Sequence, residues 1–370
     1  MRNPFPPEIY LKRTRQHEED VRGAYFRDQT AIIHSTPFRR LKHKTQVFYA
    51  PQNDHICTRI EHVMHVATIA KTICKGLNRY GWDLDVEMAF AIGLGHDLGH
   101  APFGHDGETI LNKLMGGNGA FIHEIHSYRV VEYLANKGKG LNLTYGVKDG
   151  IITHNGEKYE RMLRPAEKPN DLDKIKNRRV VPRSYEGCVV RFSDKVAYLG
   201  RDIEDAIVAG FITYDDIPQS IKKVFGITEH RINSAIIDTL VNDIIEESKD
   251  KDYIGVSEEK FQAMLELSRF NYKKIYLNDK HLAFPYAEKI LTELFEYLGE
   301  IMDRFGKDYD LYKAHNLKLV QHFGKYLREM HDFYANETDK RRILGDYIAG
   351  MTDFYAIEAF KQITIPKPIV

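Results

Sequence analysis

The sequence predicts an all-α fold, and two features of its 370 residues support this prediction. Apolar residues recur three and four positions apart along almost the whole chain, a spacing that places them on one face of a helix. Runs in which β-branched and polar residues alternate, the pattern typical of a half-buried strand, are scarce. Hydrophobic residues make up 43% of the chain and charged residues 29%, an ordinary balance for a globular protein with a sizeable core.

Helix boundaries follow from periodicity and from the residues that interrupt it. Residues 57–79 place apolar side chains on one broad face, and this helix ends near Gly81. The next helix begins near Asp85 and follows the apolar run MAFAIGLG to about Leu98, where Gly99 breaks it. Later glycines, prolines and caps bound the other periodic segments in the same way. The further predicted helices cover residues 108–115, 123–138, 186–210, 216–225, 229–248, 257–276, 285–305, 309–334 and 338–361.

The chain is longer than one typical domain, so we expect a core with an appended helical region. We place the core at residues 1–212 and a C-terminal helical region at 213–370, which would pack on the core and supply an oligomer interface. Residues 138–185 of the core are less regular, with glycines, prolines and the charged stretch EKPNDLDKIKNRR. We predict an irregular insertion there.

Composition argues against several classes of protein. The 53 basic side chains balance 53 acidic ones, so the overall charge gives no reason to expect a nucleic-acid or membrane partner. The apolar runs are too short to span a membrane, and the N-terminal residues lack the apolar core of a signal peptide. Cys57, Cys74 and Cys188 have no CxxC spacing and are interpreted as buried thiols in a reducing compartment. We therefore expect a cytoplasmic protein.

Ionisable residues interrupt three apolar helical segments, where burial is costly without a partner. His96 and Asp97 follow the run MAFAIGLG, His62 lies on the preceding helix, and Asp194 lies within VVRFSDKVAYL. A His-Asp pair alone is most often a helix-end histidine bonded to a carboxylate, but convergence on one cation would satisfy all four residues together. Because the set has nitrogen and oxygen donors and no thiolate, we expect a divalent metal. Manganese or magnesium comes first, with iron, cobalt, nickel or zinc as alternatives.

Longer sequence blocks resemble, in order, the signatures of the HD-domain deoxynucleoside triphosphate triphosphohydrolases, the dGTPase group. These blocks are STPFRRLKHKTQVF (35–48), TRIEH (58–62), GHDLGHAPFGHDGE (95–108), GIITHNGE (150–157), EGCVVRFSDKVAYLGRDIEDAI (186–207) and DYIAGMTDFYA (346–356). The resemblance implies an HD-domain helical core with a C-terminal helical extension. It also implies metal-dependent cleavage of dNTPs to a deoxynucleoside and tripolyphosphate by a homo-oligomer, a tetramer or hexamer.

The resemblance further assigns roles to individual residues. It implies that His62, His96, Asp97 and Asp194 hold the ion. Candidates for acid and base chemistry at the α-phosphorus are His100, His105, Glu108 and His123. Predicted substrate contacts are Gln46, Val47, Tyr198 and Asp202 at the deoxyribose, and Arg59 and Lys195 at the triphosphate.

The helix around Asp194 agrees with these assignments. Asp194, Tyr198 and Asp202 are spaced i, i+4, i+8, so one helix face can hold the ion, stack on a sugar and bond its 3′-hydroxyl. A tyrosine ring packed against C2′ would exclude a ribose hydroxyl by steric fit.

The chain departs from the family pattern beside His62. Val63 stands where relatives usually carry serine, and His65 stands where the residue is commonly acidic or small. These changes affect the hydrogen bonds that support the metal ligands. His126 and His154 are interpreted as surface or structural histidines, although extra histidines would also suit a second metal, as in HD phosphodiesterases.

Two alternative functions stay open from sequence. One is an HD-type phosphodiesterase or nucleotidase that acts on another phosphate ester. The other is a module that senses nucleotides or binds single-stranded nucleic acid. A dNTP effector at a subunit interface is a further prediction, with Arg39, Arg40 and Lys42 as its candidate contacts.

Overall fold

The computed structural model describes residues 1–18, 21–48, 55–156, 158–278 and 283–365, and it confirms the all-α class. The strands within these ranges are β1 (Met162–Leu163) and β2 (Ile254–Gly255), which pair antiparallel. The helices are α1 (Pro7–Leu11), α2 (Ala24–Ile33), α3 (Thr36–Arg40), α4 (Arg59–Asn78), α5 (Val86–Gly95), α6 (Gly104–Leu114), α7 (His123–Arg129), α8 (Ala135–Gly138), α9 (Tyr145–Ile152), α10 (Tyr185–Val208), α11 (Gln219–Phe225), α12 (Asn233–Ser248), α13 (Glu258–Asn271), α14 (Ala283–Phe305), α15 (Tyr309–Ala314), α16 (Lys318–Glu329), α17 (Lys340–Ala349) and α18 (Asp353–Thr364).

Helices α4, α5 and α10 pack against one another at the centre of the molecule. Each begins at a residue whose side chain satisfies free backbone N–H groups. Thr58 and Glu61 form a capping box at α4, Asp85 accepts from two backbone N–H groups of α5, and Ser184 accepts from Gly187 N at α10. These caps fix where the three helices start.

Among the described residues, two large apolar cores and a small cluster of Tyr128, Ile152, Leu172 and Ile175 stabilise the fold. The first contains residues between Tyr10 and Ile275, and the second is formed mainly by residues between Ala287 and Ala359. Apolar side chains of α6 belong to the second core, although α6 follows the His-Asp pair directly. The first core thus extends to Ile275, beyond the predicted domain boundary near 212, and residues between Ala101 and Phe121 belong to the second core; the domain boundary stays a prediction.

Several predicted elements differ from the observed ones. The segment 309–334 forms two helices, α15 and α16, and 338–361 divides into α17 and α18. Periodicity missed these breaks because both helices of each pair bury apolar residues in the same core. The irregular segment 138–185 contains the buried helix α9; its residue 157 lies outside the described residues.

Among the described residues, every helix is too short or too polar to cross a membrane.

The contact between α4 and α5 depends on Gly93. A Cβ atom at this position would lie 2.6 Å from the Cα atom of Ala67 on α4, so only glycine lets the two backbones approach this closely. This contact sets the position of the C-terminal end of α5, where His96 and Asp97 follow.

We expect Gly93→Ala to lower the free energy of unfolding by about 1–3 kcal/mol, because overpacking forces backbone shifts. Urea denaturation measures the change. Gly299→Ala on α14 is the control, since its added Cβ would meet Leu344 at an ordinary 3.6 Å and should be neutral or stabilising by up to about 1 kcal/mol. Equal effects of the two substitutions would contradict the proposed close contact.

Candidate active site

A cavity of about 480 Å³ lies beside α4, α6 and α10. Most of the predicted site residues line it, whereas His96, Glu108 and Lys195 are not among its lining residues. The lining residues that the sequence predicted are Gln46, Val47, Arg59, His62, Asp97, His100, His105, His123, Asp194, Tyr198 and Asp202.

The four predicted metal ligands come together at the base of this cavity. His62 Nε2 lies 3.0 Å from Asp194 Oδ1, so α4 and α10 meet there. His96 Nε2 lies 3.9 Å from Asp194 Oδ1 and 3.9 Å from Asp97 Oδ2. Gly156 borders the cluster, because a Cβ atom at this position would lie only 1.7 Å from Asp194 Oδ2. The backbone near residue 156 therefore packs directly on the carboxylate.

The ring of His96 shows that this cluster fits a divalent cation. His96 Nδ1 donates to Gly93 O at 2.7 Å, which leaves a lone pair on Nε2. This Nε2 is buried and has no hydrogen-bond partner among the described residues. Burial lowers the pKa of His96, which favours the neutral form that ligates metals. An unpaired nitrogen facing two carboxylates is the arrangement that a cation would complete.

Arg59 holds Asp97 in place beside this cluster. Its Nη1 donates to Asp97 Oδ2, while Nε and Nη2 donate to Thr45 O at 3.1 and 3.0 Å. Burial alone would raise the pKa of Asp97, but the charges of Arg59 and the neighbouring histidines hold it well below its ordinary value. Asp97 is therefore ionised, the state that binds a metal.

His123 and Glu108 form the second part of the site. His123 Nδ1 donates to Glu108 Oε2 at 2.7 Å, and the backbone N–H of His123 donates to Glu108 Oε1 at 3.1 Å. His123 Nε2 faces His154 Nε2 at 3.3 Å and lies 3.9 Å from Asp97 Oδ1. Burial opposes the charged form, but Glu124 and Glu108 raise the pKa of His123 to about 10. The two glutamates therefore favour the protonated form of His123.

His100 and His105 flank His123 on the cavity side. The ring of His100 stacks on that of His123 at 4.6 Å between centroids, and His105 contacts His100 edge-on at 5.1 Å. Both ring nitrogens of His100 are buried without a hydrogen-bond partner in the described ranges, and burial holds its pKa well below the ordinary value. The His105 side chain is 61% exposed, with Nδ1 3.6 Å from Glu108 Oε2. Glu108 therefore lies beside both His105 and His123.

A separate wall of the cavity carries hydroxyl and carboxylate groups. Tyr198 and Tyr159 share a hydrogen bond of 2.7 Å between their hydroxyls, and Tyr276 donates to Asp202 Oδ2. Asp202 Oδ1 and Gln46 Oε1 are buried acceptors without a partner in the described part of the chain. Burial raises the pKa of Asp202 to about 7. This wall can accept hydrogen bonds from ligand hydroxyls.

Lys195 does not reach the cavity surface. Its Nζ donates to Arg191 O at 2.8 Å, one turn earlier on α10, and lies 5.9 Å from the centre of the Tyr159 ring. Burial lowers its pKa to about 7. Its predicted triphosphate contact stays a prediction, and this geometry gives it no support.

The sequence interpretation missed residues that support His123. His154, interpreted as structural or superficial, is buried against His96 and His123. Glu124 accepts from Arg178 Nε at 2.8 Å, and Arg178 Nη2 donates to Glu108 Oε1 at 2.7 Å. The sequence does contain a signal for His154, because this residue, like His96, follows the end of an apolar helix. Arg178 had none, because it lies in the charged stretch of the insertion.

His65 and His126 lie apart from the cluster. His65 is half-buried on α4, one turn after His62. His126 packs on Phe121 of the second core, and its Nδ1 lies 3.7 Å from Asp346 Oδ1 on α17. The position of His126 agrees with the interpretation of this residue as a structural histidine.

The helical fold and the clustered His and Asp residues define an HD-domain phosphohydrolase. The family described as HD domain matches residues 59–199, a range that contains all four clustered residues. The family described as phosphohydrolase-associated domain matches residues 254–362.

The chain belongs to the deoxyguanosinetriphosphate triphosphohydrolase-like proteins, which confirms the resemblance inferred from the sequence blocks. It is 38% identical to such a protein from Caldanaerobacter subterraneus over 99% of this chain and 93% of the relative. A second relative, from Desulfatibacillum aliphaticivorans, is 37% identical over 86% of this chain and 85% of its own length. A phosphohydrolase of known structure from Bacteroides thetaiotaomicron aligns with 91% of this chain and 69% of its own at a TM-score of 0.47 and 16% identity, too distant to inform the site.

We expect His62→Ala to weaken Mn²⁺ binding by at least about tenfold, because it removes one of the convergent donors. Isothermal titration calorimetry or metal analysis after gel filtration measures the loss. His65→Ala is the matched control, since it removes the same side chain from the same helix one turn away. Unchanged Mn²⁺ binding by His62→Ala would show that the cluster holds no metal.

Proposed function

We propose that this protein hydrolyses deoxynucleoside triphosphates, dGTP or several dNTPs, to the deoxynucleoside and tripolyphosphate in a metal-dependent reaction. The observation that carries the proposal is the arrangement of one cavity. It is lined by His62, Asp97 and Asp194, which could hold a metal with His96, by His123, which bonds Glu108, and by a wall of hydroxyl and carboxylate groups. The names of the relatives support the same activity.

His62, His96, Asp97 and Asp194 would hold the cation, which we propose to be manganese or magnesium. When bound, a divalent cation polarises phosphoryl oxygens and lowers the pKa of water. Arg59 orients Asp97 from the opposite side, and its guanidinium also lines the cavity, where it can face a phosphate.

Glu108, His105 and His123 would move the protons. Hydrolysis at the α-phosphorus needs a base for the attacking water and an acid for the leaving 5′-oxygen. Glu108 accepts from Nδ1 of His123 and lies near Nδ1 of His105, so it orients two rings that line the cavity. His100 adds a neutral ring that stacks on His123 and can accept or donate at the phosphate.

The wall formed by Tyr198, Asp202 and Gln46 would bind the sugar. Asp202 Oδ1 can accept from the 3′-hydroxyl, and the Tyr198 ring can pack on C2′. The hydrogen bond to Tyr159 fixes the position of the Tyr198 ring, so a 2′-hydroxyl would clash with a ring that cannot move aside.

The identity of the products tests this function. Purified protein is incubated with Mn²⁺ and each dNTP, alone and mixed, and the products are separated by ion-exchange chromatography. We expect deoxynucleoside and tripolyphosphate. Monophosphate with pyrophosphate, or turnover of other phosphate esters alone, would instead indicate a phosphodiesterase or nucleotidase. Salt-dependent binding of oligonucleotide without turnover would indicate a nucleic-acid-binding module.

The proton-transfer assignment predicts that Glu108→Gln lowers kcat by about 10²–10⁴-fold, because the neutral amide keeps only one acceptor oxygen and cannot accept from both Nδ1 and the backbone N–H of His123. Mn²⁺ binding should stay unchanged. Glu61→Gln, at the cap of α4, serves as the control and should retain kcat. If Glu108→Gln turns over substrate at the normal rate, this network does not transfer the protons.

The sugar assignment predicts that Tyr198→Ala narrows the difference in kcat/KM between dGTP and GTP by about 10-fold or more, because it opens space at C2′. Tyr198→Phe keeps the ring and loses only the bond to Tyr159, so it should retain most of the discrimination. Steady-state kinetics with both nucleotides distinguish these results. If Tyr198→Ala prefers dGTP over GTP as strongly as the unmodified protein does, the Tyr198 ring does not contact the 2′ position of the sugar.

The predicted tetramer or hexamer, the dNTP effector and the cytoplasmic location stay predictions. Of the proposed effector contacts, Arg39 and Arg40 are exposed, and Arg40 Nη1 donates to Gly350 O at 2.9 Å. Turnover only in mixed dNTPs would reveal an effector.

A further inference from the structure

The block DYIAGMTDFYA has no residue in the cavity, although it contacts the loop behind it. Asp353, at the start of α18, is only 4% exposed. Its Oδ1 accepts from the backbone N–H of Phe103 at 3.0 Å, and its Oδ2 accepts from the backbone N–H of Thr45 at 2.8 Å. One carboxylate of the second core therefore bonds two separate segments that border the cavity.

A second buried side chain reinforces this contact. Lys44 Nζ donates to the carbonyl of His100 and, at 2.7 Å, to the carbonyl of Ala349 on α17. Asp353 and Lys44 thus tie both ends of the segment 100–103 to the second core. This segment connects the His-Asp pair to α6.

The segment needs such support because of its backbone conformation. Phe103 has φ 64° and ψ 25°, and Gly104 follows with φ 61°. A left-handed conformation is unfavourable for a residue with a Cβ atom, because the Cβ atom comes too close to a carbonyl oxygen. A hydrogen bond from its N–H to a buried carboxylate can offset this cost. The turn separates His100, which stacks on His123, from His105 at the start of α6.

The second bond of Asp353 extends to the metal ligands. Thr45, whose N–H it accepts, offers its own carbonyl to the guanidinium of Arg59, and Arg59 holds Asp97. Asp353 is therefore connected both to the turn before His105 and to Asp97.

We propose that Asp353 is a positioning residue for hydrolysis: it holds the left-handed turn at Phe103 and the backbone at Thr45. The C-terminal helical region thereby sets where His100, His105 and Arg59 stand relative to the substrate. The proposal rests on the function proposed above and adds a role for a residue outside the cavity. A misplacement of about 1 Å can cost on the order of 10²-fold in rate, so small shifts of this turn matter.

The first test compares Asp353→Ala and Asp353→Asn with the unmodified protein. Asparagine keeps one acceptor oxygen and can satisfy only one of the two N–H groups. We expect kcat to fall by about 10- to 100-fold in Asp353→Ala and by less in Asp353→Asn, with KM, Mn²⁺ binding and the unfolding midpoint little changed. Glu358→Gln, on the same helix and ion-paired with Lys361 at the surface, should keep full activity.

The second test asks whether Asp353 acts through the turn. Phe103→Gly removes the penalty for a left-handed backbone, whereas Phe103→Ala removes the ring and keeps the penalty. In the Asp353→Ala background, we expect the glycine variant to have at least threefold higher kcat than the alanine variant. A role in stability alone would not produce this difference in kcat.

Three results would overturn the inference: normal kcat in Asp353→Ala, equal kcat of the two double variants, or a loss of kcat in Asp353→Asn that is fully explained by unfolding. Failure of the proposed function has a different signature. In that case the unmodified protein releases no tripolyphosphate from any dNTP. The kcat values of the same variants are then compared with bis-p-nitrophenyl phosphate as substrate.

Discussion

The burial of Asp97 and Asp194 among histidines is the constraint on which the rest of this structure depends. A buried carboxylate is strongly unfavourable unless charged or hydrogen-bonding groups surround it. Here Arg59, His62 and the neighbouring histidines provide those groups, and they can do so only if three helices are held at close range. Gly93 permits the approach of α4 and α5. The helical core thus serves to place a small set of charges at one point.

The histidines of the site differ in protonation because their surroundings differ. Burial lowers the pKa of His96 and of His100 more than the nearby carboxylates raise it, so both rings favour the neutral form. His123 is equally buried, yet two glutamates raise its pKa to about 10. The cluster therefore combines a neutral ring, whose lone pair could bind a metal, with a ring whose protonated form is favoured. This division of roles is the electrostatic basis of the proposed hydrolysis.

The site also lies where the two cores meet. Helix α6, which carries His105 and Glu108, packs its apolar face in the second core, whereas His62 and Asp194 lie on helices of the first. The relative position of the cores therefore determines how His105 and Glu108 lie relative to His62 and Asp194. Asp353 lies at this junction. Through its bonds to Thr45 and Phe103, the block DYIAGMTDFYA near the end of the chain contacts segments that border a cavity formed mainly by the first half of the chain.

The sequence alone determined the helical class, most helix positions and the residues whose burial needs a partner. These properties are local, because apolar spacing shows which face of a helix is buried. Asp194 and Tyr198, four residues apart, lie on such a face. Tertiary structure alone decided which buried faces meet. In the folded structure His154 contacts His123, and Lys195 bonds a backbone carbonyl of its own helix instead of lining the cavity. The first core extends to Ile275. No periodic pattern contains this information, because the contacts join segments far apart in the chain, and their geometry depends on how whole helices pack.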